Sequence, residues 1–181
     1  MSTPSPAGLT PVDDALRRGD TAGAHRALRD AFGSFPSGVV SACAVVDGSP
    51  VGMAMSSFTS VSLDPPLVLV CVDRASSTWP KLRDAQRLGI SVLGEAHDAT
   101  ARQLASRTAD RFAGLPLVDG EGGALFVGGA AAWLECSVES ELPGGDHVVV
   151  LLRVHGHRVL ETGPLVFHGS TFTTVAPTLV G

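Results

Sequence analysis

Residues 52–70 read GMAMSSFTSVSLDPPLVLV, and the architecture follows from how this stretch changes character. It leaves an apolar run and passes through a hydroxyl-rich bend carrying Ser56, Ser57, Thr59, Ser60 and Ser62. It then turns at Asp64-Pro65-Pro66, where proline holds the preceding backbone extended, and enters a β-branched run. Short apolar runs bounded by turn residues are strands rather than helices. The same pattern continues outward and predicts strands at 39–46, 51–56, 67–72, 89–93, 130–139, 147–160 and 165–174. Asp47-Gly48 supplies a hairpin turn between the first two.

Helical signals are few. Asp13 and Asp14 can cap a short helix, and Asp20 or Thr21 a second one whose buried face would carry Leu28 and Phe32 before Gly33 stops it. Two further helices are predicted at 78–88 and 98–107, the latter turning Leu104 and Ala105 inward. Residues 115–129, with Gly120, Gly122, Gly123, Gly128 and Gly129, read as a loop. Helices do not alternate with strands regularly enough for a doubly wound sheet. The expectation is a mainly β fold, an antiparallel closed barrel with peripheral helices.

The chain has 181 residues, 44% hydrophobic and 17% charged, which suits a single folded domain over 13–181 behind a flexible, proline-containing tail at 1–12. A net charge of -5, a single lysine (Lys81) and scattered arginines argue against a nucleic-acid partner. Cys43, Cys71 and Cys136 each sit in an apolar run with no CxxC pair, which reads as reduced thiols in a core. Neither a signal peptide nor a run long enough for a bilayer is visible, so a soluble cytoplasmic protein without membrane contact is expected.

No P-loop, no GxGxxG between strand and helix, no HExxH and no GxSxG is present. A phosphate or dinucleotide would have to be held by another device. The bend after residue 55 offers backbone N–H and hydroxyl groups that could bond a flat polar ring or a phosphate, or could be an ordinary polar loop. Arg74 beside Ser76, Ser77 and Thr78 at a predicted helix start is a second anion-binding candidate, against a plain capping cluster. His155 and His157, two apart on a strand, would share a face with Arg153, which repels a cation. With no carboxylate evident beside them, no metal site is expected.

Several motifs in order resemble one family. GMAMSSFTSVSLDPPLVLVCVDRASST, preceded by LRDAFGSFPSGVV from Leu28, is similar to the signature of the flavin reductase-like, FMN-binding split-barrel family, the reductase components of two-component flavin monooxygenases. RFAG at Arg111, WLEC at Trp133, GDH at Gly145 and PLVFHGSTF ending at Phe172 continue the likeness over most of the chain. The resemblance implies a Greek-key split barrel and a homodimer. It places Ser37, Gly38 and Val39 against the isoalloxazine, Met53, Ala54, Met55, Ser56 and Ser57 along the flavin edge, and Ser60, Val61 and Ser62 around the ribityl chain. It places Arg74, Ser76, Ser77 and Thr78 at the flavin phosphate. His147 would position the nicotinamide of NAD(P)H, and Phe112 would line the nicotinamide side or serve as a core aromatic. Where the family pattern has threonine and then alanine, this chain has Ala54 and Met55, so one hydroxyl near the ring is missing.

The implied reaction is NAD(P)H-dependent reduction of FMN or FAD, with NADH favoured, for release to a partner flavin-dependent monooxygenase. No protein acid or base is needed, because the nucleotides carry the chemistry. The alternatives are a self-contained split-barrel flavoprotein acting on another acceptor, or a non-catalytic flavin- or heme-binding module.

Overall fold

The computed structural model describes residues 12–176. The expected 1–12 tail lies outside the described residues except for Val12, which opens helix α1 (Val12–Arg17). Helix α2 (Thr21–Gly33) starts at the expected cap: the Asp20 carboxylate accepts the Gly23 N–H at 3.0 Å. Its expected buried face is not realised, because α2 packs mainly on α1. Ala24 is its buried residue, and Phe32 is 70% exposed.

Twelve strands follow: β1 (Ser37–Gly38), β2 (Val40–Val46), β3 (Ser49–Met55), β4 (Thr59–Leu63), β5 (Pro66–Asp73), β6 (Leu88–Val92), β7 (Leu117–Asp119), β8 (Leu125–Val127), β9 (Ala132–Gly144), β10 (His147–Val159), β11 (Leu165–His168) and β12 (Thr171–Thr174). Seven of them form one sheet in the order β3-β2-β6-β9-β10-β5-β4, with every ladder antiparallel. β3 and β4 occupy opposite edges yet are joined by residues 56–58, so the sheet must curl back on itself. Ser57 stitches the seam: its hydroxyl donates to the Cys71 carbonyl at 3.0 Å and accepts the Cys71 N–H at 2.8 Å. The fold is thus mainly β, a curled antiparallel barrel with few helices, as the sequence implies.

Period-two alternation fills the interior. Val40, Ala42 and Ala44 from β2, Val68, Val70 and Val72 from β5, Leu88 and Ile90 from β6, and Val150 and Leu152 from β10 form one buried cluster. A second cluster of Val39, Leu93, Ala101, Leu104, Val127 and Leu165 seats helix α4 (Asp98–Ala105) on the outside of the barrel.

Four elements differ from the sequence expectation. The helix expected at 78–88 is a single turn, α3 (Trp79–Leu82), because Leu88 must already be in strand register inside the core. The hydroxyl-rich bend contains an edge strand, β4. The strand expected at 165–174 is a hairpin, turned by Gly169 (φ 54°) and Ser170 (φ 64°). The glycine-rich 115–129 segment is not a bare loop: β7, a 3-10 turn (Glu121–Gly123) and β8 lie across the outer faces of β2 and β6. There the Val127 N–H donates to the buried Ser91 hydroxyl at 3.0 Å.

All three cysteines are free, and burial pushes the Cys43 and Cys136 thiols up to about 12. Thiolates are the reactive species, so a disulfide-exchange reagent at pH 8 should modify at most one thiol of the native protein, the half-buried Cys71. In denaturant all three should react. Two rapidly modified thiols in the native state would contradict this burial.

Candidate functional site

Three hollows run side by side between β3, the β5–α3 turn and helix α4. The central cleft, about 250 Å3, is walled by Met53 and Ala54 of β3, by Asp73, Ala75, Ser76, Ser77 and Thr78, and by Leu104, Ala105, Arg107 and Arg111. A second cleft of about 310 Å3 shares Ser77, Thr78, Arg107 and Arg111 and adds Gly52, Lys81, Asp110 and Phe112. An apolar hollow of about 140 Å3 shares Ala54 and Ala105 with the central cleft and is lined by Val39, Met55, Ser56, Ala101, Phe167 and Phe172. The two phenyl rings sit 5.2 Å apart at 55°, and the Arg102 guanidinium lies 4.8 Å over Phe172.

The polar groups at the cleft are unequally committed. The Ser76 hydroxyl accepts the N–H groups of Thr78 (3.3 Å) and Trp79 (3.2 Å), so it caps α3 as a simple Ser/Thr cluster would. The Thr78 hydroxyl accepts from Arg111 at 2.6 Å. Among the described residues, the side chains of Ser77 and Arg107 have no hydrogen bond or ion pair and are open to a ligand. A one-turn helix adds little macrodipole, so an anion here would be held by guanidinium and hydroxyl donors.

The structure gathers some of the expected residues and separates others. Met53, Ala54, Ser76, Ser77 and Thr78 share the central cleft, while Val39, Ala54, Met55 and Ser56 line the apolar hollow. Ser37 and Gly38 pair with Phe167 and Val166 on β11, beside that hollow. Ser57 is consumed by the barrel seam. Ser60, Val61 and Ser62 lie on edge strand β4, away from all three hollows, where a bulge interrupts the ladder. Arg74 is exposed and lines none of the three; among the described residues only its backbone is engaged, donating to the Asp146 carbonyl at 3.0 Å. His147 opens β10 opposite Asp73, a wall residue of the central cleft. Its Nδ1 lies 2.7 Å from Asp146 Oδ1, a contact that holds the Asp146 carboxyl below the usual range. Phe112 lines the second cleft, and its ring would lie 2.9 Å from any Cβ placed on Gly52, so glycine there admits the ring.

Arg107, Arg111, Lys81, Phe167 and Phe172 were not among the residues singled out for the site. Arg111 and the two phenylalanines stand in motifs the sequence displays, but their convergence depends on how α4 and β11 fold onto β3. Ser41, opposite Ala54 in the ladder, has a buried hydroxyl with no partner among the described residues. On the far face, Arg153 is held by Glu139 in two 2.8 Å bonds, correcting the absence of a neighbouring carboxylate. His155 bonds the Ser137 hydroxyl at 2.8 Å. Among the described residues no group of three or more His, Cys, Asp or Glu could hold a metal, and no helix is long and apolar enough to cross a membrane.

Barrel and clefts together give a mainly β protein with an apolar, phenylalanine-lined hollow beside two clefts lined by arginine and hydroxyl groups. The chain belongs to the flavin reductase like domain family, whose model matches residues 32–176. It is 35% identical over 153 residues to the flavin-dependent monooxygenase, reductase subunit HsaB of Rhodococcus jostii (strain RHA1), covering 84% of this chain and 78% of that protein. It is 42% identical over 130 residues to a probable flavin reductase of Rhizobium meliloti (strain 1021), covering 71% of this chain but spanning only 42% of that longer protein. Among solved structures, nitrilotriacetate monooxygenase component B from Mycobacterium thermoresistibile superposes with a TM-score of 0.84 at 33% identity, over 88% of this chain and 91% of that one. The Streptomyces globisporus NADH:FAD oxidoreductase SgcE6, solved with NAD and FAD fragments, superposes with a TM-score of 0.81 at 34% identity, over 96% and 99%.

Proposed function

We propose that this chain is an NAD(P)H:flavin oxidoreductase that reduces FMN or FAD and releases the product to a partner flavin-dependent monooxygenase. The observation that carries this is the continuous row of hollows, from an apolar pocket lined by Phe167 and Phe172 to a cleft holding an uncommitted arginine, in a chain of this family. A flavin has that polarity: a flat ring at one end and a phosphate at the other. Val39, Ala54, Met55, Phe167 and Phe172 would seat the ring, and Ser77, Thr78 and Arg107 the phosphate. The second cleft, with Lys81, gives an adenylate room to continue, which accommodates FAD as well as FMN.

A flavin supplies a centre that accepts hydride from a reduced nicotinamide, so the chain needs no acid or base of its own. Its work is to bring the two rings face to face and to exclude water between them. His147, across the ladder from Asp73, is the residue proposed to orient the nicotinamide. NADH is favoured over NADPH, in line with the oxidoreductase from Streptomyces globisporus. A homodimer belongs to the same proposal, since a second copy would cover the exposed Phe32 and Phe35.

The clefts are open, and no covalent attachment partner lines them, so flavin should behave as a diffusible cosubstrate with Kd around micromolar, about -8 kcal/mol. Purified protein should lose most flavin on desalting. NADH oxidation should then saturate as FMN or FAD is added. Stoichiometric flavin that survives dialysis, with no rate gain on adding more, would favour the self-contained flavoprotein. No NAD(P)H oxidation with any flavin would leave only the binding module.

A further inference from the structure

Arg111 stands between the central and second clefts and touches three separate segments. Its Nε–H donates to the Ser106 carbonyl at 2.6 Å, at the end of α4. Nη1 donates to the Gly52 carbonyl of β3 at 2.9 Å and to Thr78 Oγ1 at 2.6 Å. Those segments are the walls of both clefts. Gln103 reinforces the arrangement, its amide donating to the carbonyls of Asp110 (3.1 Å) and Ala113 (2.9 Å) and tying the segment that carries Arg111 back to α4.

The geometry points to Arg111 as a positioning residue that sets the width of the anion cleft and aims the Thr78 hydroxyl into it. This rests on the flavin-reductase reading above. A hydroxyl that accepts from a guanidinium keeps its own proton to donate. With its lone pair turned to Arg111, Thr78 can present that proton to the cleft it lines. Only a planar fork can serve the three acceptors together; lysine offers one nitrogen and cannot span them. The arginine therefore acts on the ligand chiefly through Thr78 and through the spacing of β3 from α4.

The test compares flavins that differ only in phosphate. Arg111→Ala should raise KM for FMN about tenfold, change KM for riboflavin less than about twofold, and leave kcat at saturating FMN within about twofold of the parent. Millimolar guanidinium should recover much of the FMN affinity, and Arg111→Lys should recover only part. Thr78→Val should reproduce most of the FMN defect without responding to guanidinium, and it keeps the idea testable should Arg111→Ala fail to fold. Equal rises for FMN and riboflavin would reduce Arg111 to a loop anchor, and an unchanged FMN KM in both variants would remove it from the site. A parent protein that binds FMN but oxidises no NAD(P)H would instead overturn the reductase reading, and FMN titration of the same variants would still decide the role of Arg111.

Discussion

Arg107→Ala is expected to weaken FMN binding roughly 10- to 100-fold, while Arg74→Ala should change it less than about threefold. Both arginines are close in sequence to the hydroxyl cluster or to the helix that faces it, but only Arg107 lines the clefts. It lines the central and second clefts together, and no carboxylate or carbonyl among the described residues engages it. A charge-assisted bond to phosphate contributes about 1.5–3 kcal/mol, which gives that range. Both side chains are exposed, but Arg74 lines none of the hollows, so its removal costs at most a screened long-range attraction. Riboflavin, which lacks the phosphate, should bind both variants almost as it binds the parent. Fluorescence titration with FMN and riboflavin reads all of this directly. If Arg74→Ala proved the damaging change, the phosphate would lie toward the β5–β10 edge, and the central cleft would hold something else.

That contrast shows what was legible in the sequence and what was not. The strands of the barrel follow from local patterning: alternation in β5, an Asp-Gly turn between β2 and β3, and proline punctuation before β5 are visible without any tertiary knowledge. The hydroxyl cluster at Ser76, Ser77 and Thr78 was legible because polar residues following a buried strand must sit at its mouth. The cation that lines the clefts beside it was not. Arg74 is adjacent in sequence, but chain direction at the end of β5 carries it toward Asp146, while Arg107 arrives from α4, about 30 positions on. Phe32 failed for a related reason. Its spacing from Leu28 is amphipathic, yet α2 finds no described surface to bury it against. The glycine-rich segment misled in the opposite sense. Its glycines mostly serve turns, with positive φ at Gly122, Gly123 and Gly129, and only Gly123 lies close to strand backbone, at the Val45 carbonyl of β2, so the composition looks like a loop when only one strand is in view.

Gly89 of β6 marks the closest backbone approach of this segment to the sheet, and Gly89→Ala should lower the melting temperature by about 6–12 °C. The residue sits in β6, in the middle of the seven-stranded sheet, paired with Cys43 on one side and Glu135 on the other. A Cβ added there would land on the Leu125 carbonyl oxygen, with the carbonyl carbon at 2.6 Å and the Leu125 nitrogen at 2.9 Å. These are backbone atoms and cannot rotate aside. They are also anchored: Gly120 N–H bonds the Ala124 carbonyl at 2.8 Å, Val127 N–H bonds Ser91 at 3.0 Å, and Leu125, Phe126 and Val127 are buried. Relief requires either bending the central strand or lifting the β7–β8 flap and wetting those three side chains. Overpacking in a close-packed interior costs about 1–3 kcal/mol, and a clash against backbone belongs at or beyond the upper end. For a chain of this length each kcal/mol is worth about 2–4 °C, so about 3 kcal/mol gives the stated drop. Gly38→Ala is the control: nothing lies within 4 Å of its Cβ position and its φ is not positive, so it should melt within about 2 °C of the parent. Circular dichroism melts of the three proteins decide the matter. A Gly89→Ala protein that melted with the parent would mean that the flap is not seated on β6 as described, and the outer face of the barrel would then be open between β2 and β9.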